Sequence, residues 1–295
     1  MTARSGRTSS IAARSARRIA MLFASLAIAI LLWEFYKAVG PEDGGDIFGW
    51  RIIPKTNDRV MPHTWTMAAE FGDDAIGSGD QKVWQVLLGY AWYTFRMAIA
   101  GLALGVFVGV GLAVFMARFK IVERGLLPYL VISQTIPLIA LAPQVTVIRG
   151  SLDLPQWTSA AALAAFLSFF PVTVSTLRGL QSAPAASLEL MDSYAASWWT
   201  TLRKLRFPAA VPYMVPGLKL AATASVIGVI VTEITLGGLR GVGFATIDYS
   251  QKVTSQPASV YAAVFAAAVL GLIMFGIVVA GESIAMRRRP KEVVG

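Results

Sequence analysis

Residues 83–116 run for 34 positions with a single charged side chain, Arg96. Stretches 126–148, 157–177, 211–236 and 259–285 are nearly as apolar, and another apolar run, 19–39, precedes them all. A soluble core has no need of unbroken apolar runs of twenty residues. A bilayer has, because its hydrocarbon is about 30 Å thick and a helix rises about 1.5 Å per residue. The chain is therefore expected to be an all-α polytopic membrane protein of about six transmembrane helices. Composition agrees: of 295 residues 56% are hydrophobic and 15% charged, with a mean hydropathy of +0.61, where a soluble domain carries roughly 25% charge.

Five arginines (Arg4, Arg7, Arg14, Arg17, Arg18) fill a basic N-terminal segment, 1–18. The run that follows is too long for a signal-peptide core and no clear small-x-small cleavage site follows it, so 19–39 reads as a retained first transmembrane helix. Residues 40–82 form a polar extracytoplasmic segment with one weak helical stretch near 64–71. Residues 83–285 make the core and 286–295 a tail. Segment 83–116 exceeds one crossing and is expected to tilt or protrude.

The charges orient the chain. With both termini inside, the cytoplasmic pieces hold 16 lysines and arginines and the outer loops seven, while 40–82 carries eight acids. That bias orients the chain with N- and C-termini cytoplasmic, and the resemblance given below implies the plasma (inner) membrane. The net charge of +9 and pI near 10.0 then follow from topology, and nucleic acid need not be invoked as a partner.

Catalytic chemistry has little to work with. There is no cysteine, and the one histidine, His63, lies in a loop, so thiolate or imidazole metal sites and histidine-based triads are out. No G-x-x-x-x-G-K-[ST], H-E-x-x-H, G-x-S-x-G or intramembrane aspartate pair is present. The glycine-rich Gly237-Gly238-Leu239-Arg240-Gly241-Val242-Gly243 follows a membrane helix, not a strand, which is the wrong context for a phosphate cradle. A non-enzymatic subunit without a cofactor of its own is expected.

The loop 178–210 is far longer than a connector needs. Residues 185–194, after Pro184, suit a short helix bearing Glu189 and Asp192. Ser197 is placed to cap a second, 198–206, which Pro208 is expected to end. Two short helices with adjacent tryptophans, Trp198 and Trp199, read as a surface for a partner; a membrane-interface belt is the other reading.

This loop resembles the EAA motif of binding-protein-dependent ABC importer permeases. Glu189, Leu190 and Met191 stand for E-A-A, Ala195-Ala196-Ser197 for G-A-S, and Leu202, Leu205, Phe207-Pro208 and Pro212 complete the pattern without a gap. Ala195 replaces the family's glycine; a left-handed backbone there would cost about 1 kcal/mol. Met61-Pro62-His63-Thr64, Thr94-Phe95-Arg96 with Gly101, Gln134-Thr135-Ile136-Pro137, Ala140-Leu141-Ala142-Pro143, Thr232-Glu233 and Gly241-Val242-Gly243 extend the likeness towards the nitrate/sulfonate/taurine-like branch. Ile148-Arg149-Gly150 departs from that branch's Trp-Phe-Gly.

The resemblance implies a type I importer permease fold. It also implies a cytoplasmic ABC ATPase, which binds the ATP, an extracytoplasmic solute-binding protein and a second permease copy, a homodimer or a similar chain. ATPase coupling would fall to Glu189, Ala195, Ala196, Ser197, Leu202, Phe207 and Pro208. Its substrates would be small solutes, nitrate/sulfonate/taurine-like or vitamin/pyrimidine-precursor-like. The alternative is a secondary transporter or channel with no ATPase, which would favour more intramembrane ionisable groups or inverted repeats.

Arg96, Pro137 and Glu233 are candidates for the translocation pathway. Arg96 and Glu233 lie in apolar helices, where a charge is costly and finds a partner or water; they either pair with each other or face the solute. Pro137 and Pro143 either kink or unwind their helix. Gly101, Gly105, Gly109, Ala113 and Ala117 recur every four residues, a stripe that serves either close helix packing or a sliding or pore-lining face. Lys219 is expected to snorkel to the cytoplasmic interface.

Overall fold

A backbone without water must bond to itself, so apolar runs become helices. The computed structural model describes residues 5–47, 50–75 and 79–286. In chain order its elements are α1 (Ser5–Val39), β1 (Gly45–Ile47), β2 (Trp50–Ile53), α2 (Thr64–Ala69), α3 (Val83–Arg118), α4 (Lys120–Ser133), α5 (Leu138–Ser151), α6 (Trp157–Gln181), α7 (Ala185–Ser193), α8 (Trp198–Thr201), α9 (Phe207–Leu236), α10 (Val242–Gln251) and α11 (Ser259–Met286). Apart from the antiparallel ribbon β1–β2, the described fold is all-α.

The chain divides into two units, residues 1–73 with 251–262, and residues 74–250 with 263–295. In the smaller, the C-terminal end of α1 holds the polar segment by side chains. Glu34 accepts from the Thr64 amide and hydroxyl, each at 2.8 Å, and so caps α2 from a distant helix. Its other oxygen lies 2.8 Å from His63 Nδ1. Lys37 donates to Asp58 and to the Met61 carbonyl, both at 2.6 Å. The expected helical stretch near 64–71 is present as α2 and a 3-10 turn, Glu70–Gly72. α1 begins well before residue 19, extending into the basic segment. The charges of 1–4 and 287–295 lie outside the described residues.

In the larger unit α6 is the centre. Gly101, Gly105, Gly109 and Ala113 are all buried, and α3 meets α6 backbone to backbone along them. A Cβ at Gly105 would sit 2.7 Å from Ser168 Cβ and 3.0 Å from the Ala165 carbonyl. From α9, a Cβ at Gly228 would fall 2.7 Å from Ala164 Cα. The small-residue stripe is thus a packing seam. Met97, Ala160, Ala222, Val226, Val229 and Met274 fill the core around it. By contrast Phe107 on α3 and Leu272 on α11 are 79% and 70% exposed, an outer face that only hydrocarbon tolerates at this density.

Among the described residues four helices, Val83–Arg118, Trp157–Gln181, Trp198–Leu236 and Ser259–Ile284, are long and apolar enough to cross a bilayer; a fifth span exists if one bent pair is counted together. That pair corrects the sequence reading. The stretch 126–148 is not one kinked helix but α4 and α5, meeting at 103°. Pro137 biases Ile136 away from the helical region and has no N–H to continue the ladder. It therefore lies not within a helix but at the N-cap of α5, in extended conformation. Pro143 sits inside α5 without breaking it.

A second correction concerns Pro208. It does not end the short helix after Ser197: the chain runs from α8 through a π turn, Leu202–Arg206, straight into α9. The wider turn carries the preceding carbonyls away from the pyrrolidine ring, which removes the clash that makes proline a helix breaker. The region 237–258, read from sequence as a loop, holds α10.

Candidate functional site

The loop 178–210 folds as a helical arm on a fixed base. Ser182 closes α6 by donating to the Gly179 carbonyl at 2.8 Å, and Pro184 starts α7. α7 has no buried residue: Glu189 and Asp192 are exposed, as are Leu190 at 56% and Tyr194 at 77%. Its end is a Schellman turn. The Ala196 amide donates to the Met191 carbonyl at 3.0 Å and the Ala195 amide to Asp192 at 2.8 Å, with Ala195 at φ +53°. This is the left-handed position where the family motif carries glycine. Ser197 then caps α8 by accepting from the Thr200 amide at 3.3 Å.

The base is where the other motif residues point. Leu202 is 4% exposed and packs with Met116, Leu130, Leu177, Leu180 and Ala210, with Phe207 against the same group. Arg206 donates to the Leu180 carbonyl at 3.3 Å, tying the arm's exit to the end of α6. The Arg118 guanidinium lies 5.3 Å from the Trp198 ring centre, while Trp199 is 59% exposed. The motif therefore splits: Leu202 and Phe207 anchor, while Glu189, Ala195 and Ser197 face outward, Ala196 is half-buried, and Pro208 is exposed on the first turn of α9.

Helix lengths place this arm against the bilayer. Between Arg96 and Arg118, α3 has 21 uncharged residues, which at about 1.5 Å each span roughly the 30 Å of a hydrocarbon core. Trp157 and Arg178 bracket α6 at a similar interval. Arg118 contacts the arm and Arg96 shares a cavity with Trp157, so the two pairs mark opposite boundaries.

Near the Arg96 boundary lies a second constellation. Glu233, 1% exposed on α9, accepts from the Thr94 hydroxyl and from the Gly243 amide, both at 2.8 Å. The Val242 amide donates to Thr94 Oγ1 at 3.0 Å. Glu233 and Thr94 together satisfy the first amides of α10, and a side chain at Gly241 would overlap the carboxylate. Arg96 and Glu233 form no ion pair: the buried carboxylate is turned to Thr94 and Gly243 and not to the guanidinium. Arg96 is exposed, beside the Tyr93 ring at 5.9 Å. Pro137 lines neither the cavity at Arg96 nor the one at Arg149. Lys219 does not simply snorkel: it pairs with Glu282 at 2.6 Å. Among the described residues no group of three histidines or carboxylates is arranged to hold a metal.

Sequence reasoning missed α10 and the role of Thr94. The capping groups of α10 are 10 and 148 residues away in the chain, so no local start signal exists. Thr232-Glu233 before a glycine-rich turn was the only hint.

Spanning helices around a glycine-lined seam, with an exposed helical arm at one boundary, define a multi-pass membrane protein. Residues 101–282 match the family described as "Binding-protein-dependent transport system inner membrane component", and the chain belongs to it. It is 34% identical over 201 residues to the formylaminopyrimidine transport permease protein ThiX of Halalkalibacterium halodurans, covering 68% of this chain and 77% of that one. It is 28% identical over 245 residues to the putative aliphatic sulfonates transport permease protein SsuC of Bacillus subtilis, covering 83% and 79%. A crystal structure of an amino acid ABC transporter with histidines shares the fold at TM-score 0.55 and 15% identity, over 68% of this chain and 94% of that one. The chain is thus the permease subunit of an ABC importer, a non-catalytic component of a family that works with a partner ATPase and a binding protein.

Proposed function

We propose that the chain forms the membrane path for a small solute and that α7 is the element a cytoplasmic ABC ATPase grips, with ATP bound by that partner and not here. The observation that carries the reading is the contrast in the arm: a nine-residue helix with no buried side chain, mounted on the buried Leu202 and on Arg206. A free helix on a fixed base turns a partner's displacement into rotation of α6 and α9. In this reading the arm and both termini are cytoplasmic, 19–39 within α1 is a first span, and 40–82 faces an external solute-binding protein. A second copy of the chain completes the path. The solute is of the kind that relatives are named for, including formylaminopyrimidine, aliphatic sulfonates and riboflavin. Arg96 faces the path, Glu233 positions α10 at its edge, and Pro137 sets the elbow between α4 and α5.

Expressed with its neighbouring genes and purified in mild detergent, the wild-type chain should bring down an ATPase. Glu189→Lys should lose most of it while inserting normally, and retention of the ATPase by that variant would refute the grip. A wild-type chain that runs alone and transports without ATP would refute the importer mechanism.

A further inference from the structure

At the boundary opposite the arm, two arginines converge on one tryptophan. Trp157 and Ala100 are shared by two adjoining cavities. The first, about 480 Å³, is lined by Tyr93, Arg96 and Gln156 as its further polar groups; the second, about 410 Å³, by Arg149, Thr158 and Ser159 among apolar neighbours. All these polar groups can donate hydrogen bonds, and no aspartate or glutamate lines either cavity.

Nor are the donors used up. Neither Arg96 nor Arg149 has an ion pair among the described residues. Arg149 spends Nη1 on the Leu154 carbonyl at 2.8 Å, but its Nε is buried with no partner. Ser159, 1% exposed, has an equally unpartnered Oγ in the same cavity. Glu233, in the same helix unit, is 1% exposed and lines neither cavity. Buried donors and guanidinium groups left without acceptors are costly, more so at a membrane boundary. A group with several negative oxygens would satisfy them at once, and guanidinium forks suit such groups.

We propose that the cleft on either side of Trp157 binds an oxyanion, a carboxylate, sulfonate or phosphate group held by Arg96 and Arg149. The oxyanion belongs either to the transported solute or to a lipid headgroup. The solute alternative rests on the import reading and narrows it to acidic solutes.

The test treats the purified full-length chain in dodecyl maltoside with phenylglyoxal and follows each arginine by mass spectrometry, with sulfate or with chloride at equal ionic strength. Sulfate should slow modification of both Arg96 and Arg149 by roughly tenfold, in keeping with charge-assisted bonds, and leave the exposed Arg203 unaffected. Arg96→Gln should weaken sulfate protection of Arg149. Equal rates at Arg96 and Arg149 with and without sulfate, in the wild-type chain, would overturn the proposal; that comparison needs no variant to fold. In phosphatidylglycerol nanodiscs the sources separate: protection without sulfate assigns the site to lipid phosphate, whereas protection that still requires sulfate assigns it to solute. A chain that retains its ATPase but shows no protection sinks this inference alone; one that shows protection but binds no ATPase sinks the import reading alone.

Discussion

Ala195 carries a conformation that its side chain resists. At φ +53° a Cβ costs roughly 1 kcal/mol relative to glycine, and the two amide bonds of the Schellman turn hold it there. Ala195→Gly should therefore tighten the end of α7, visible as slower hydrogen exchange across residues 190–197. Unchanged exchange would mean that the turn bears no strain. This position was legible in the sequence, because the motif's register put an alanine where a glycine belongs. Glu233 was legible only as an expensive charge. Its partners, a hydroxyl and an amide on two other elements, come from tertiary packing that no local pattern encodes.

Elements that follow helix periodicity and capping chemistry were readable to within a few residues: α6 and α11 from apolar length, α7 from Pro184, α8 from Ser197. The elbow between α4 and α5 was half readable. Pro137 marked the place, but whether a proline kinks a helix or ends it depends on what the neighbouring helices leave room for. Pro208 shows the reverse, a proline that should stop a helix and is absorbed by a π turn. The α3 side of the seam was legible from its four-residue repeat of small side chains, though not that α6 lies against it, and the seam makes a firm prediction. Gly105→Val would press into Ser168 and the Ala165 carbonyl, which for an overpacked core costs typically about 1–3 kcal/mol. A lower thermal midpoint in detergent checks it, with Gly111→Val, where nothing lies within 4 Å, as the neutral comparison.

For the molecule as a whole, the absence of cysteine from the sequence makes topology directly measurable. A single cysteine placed at Glu189 should resist a membrane-impermeant maleimide in intact cells and react once the membrane is opened. One placed at Asp43, in the 40–82 segment, should react from outside. The reverse pattern would put the arm on the wrong face for an ATPase. The sequence suggested small solutes only through its resemblance to a family; Arg149 and Ser159 carried no signal there, because they come from different helices from Arg96 and share a cleft with it only around Trp157.

The backbone contacts of α6 with both of its neighbours also limit how such a protein can work. Where glycine lets two helices touch along their length, nothing is left to compress and any slide must climb over carbonyls. The three helices α3, α6 and α9 are then expected to move as one piece.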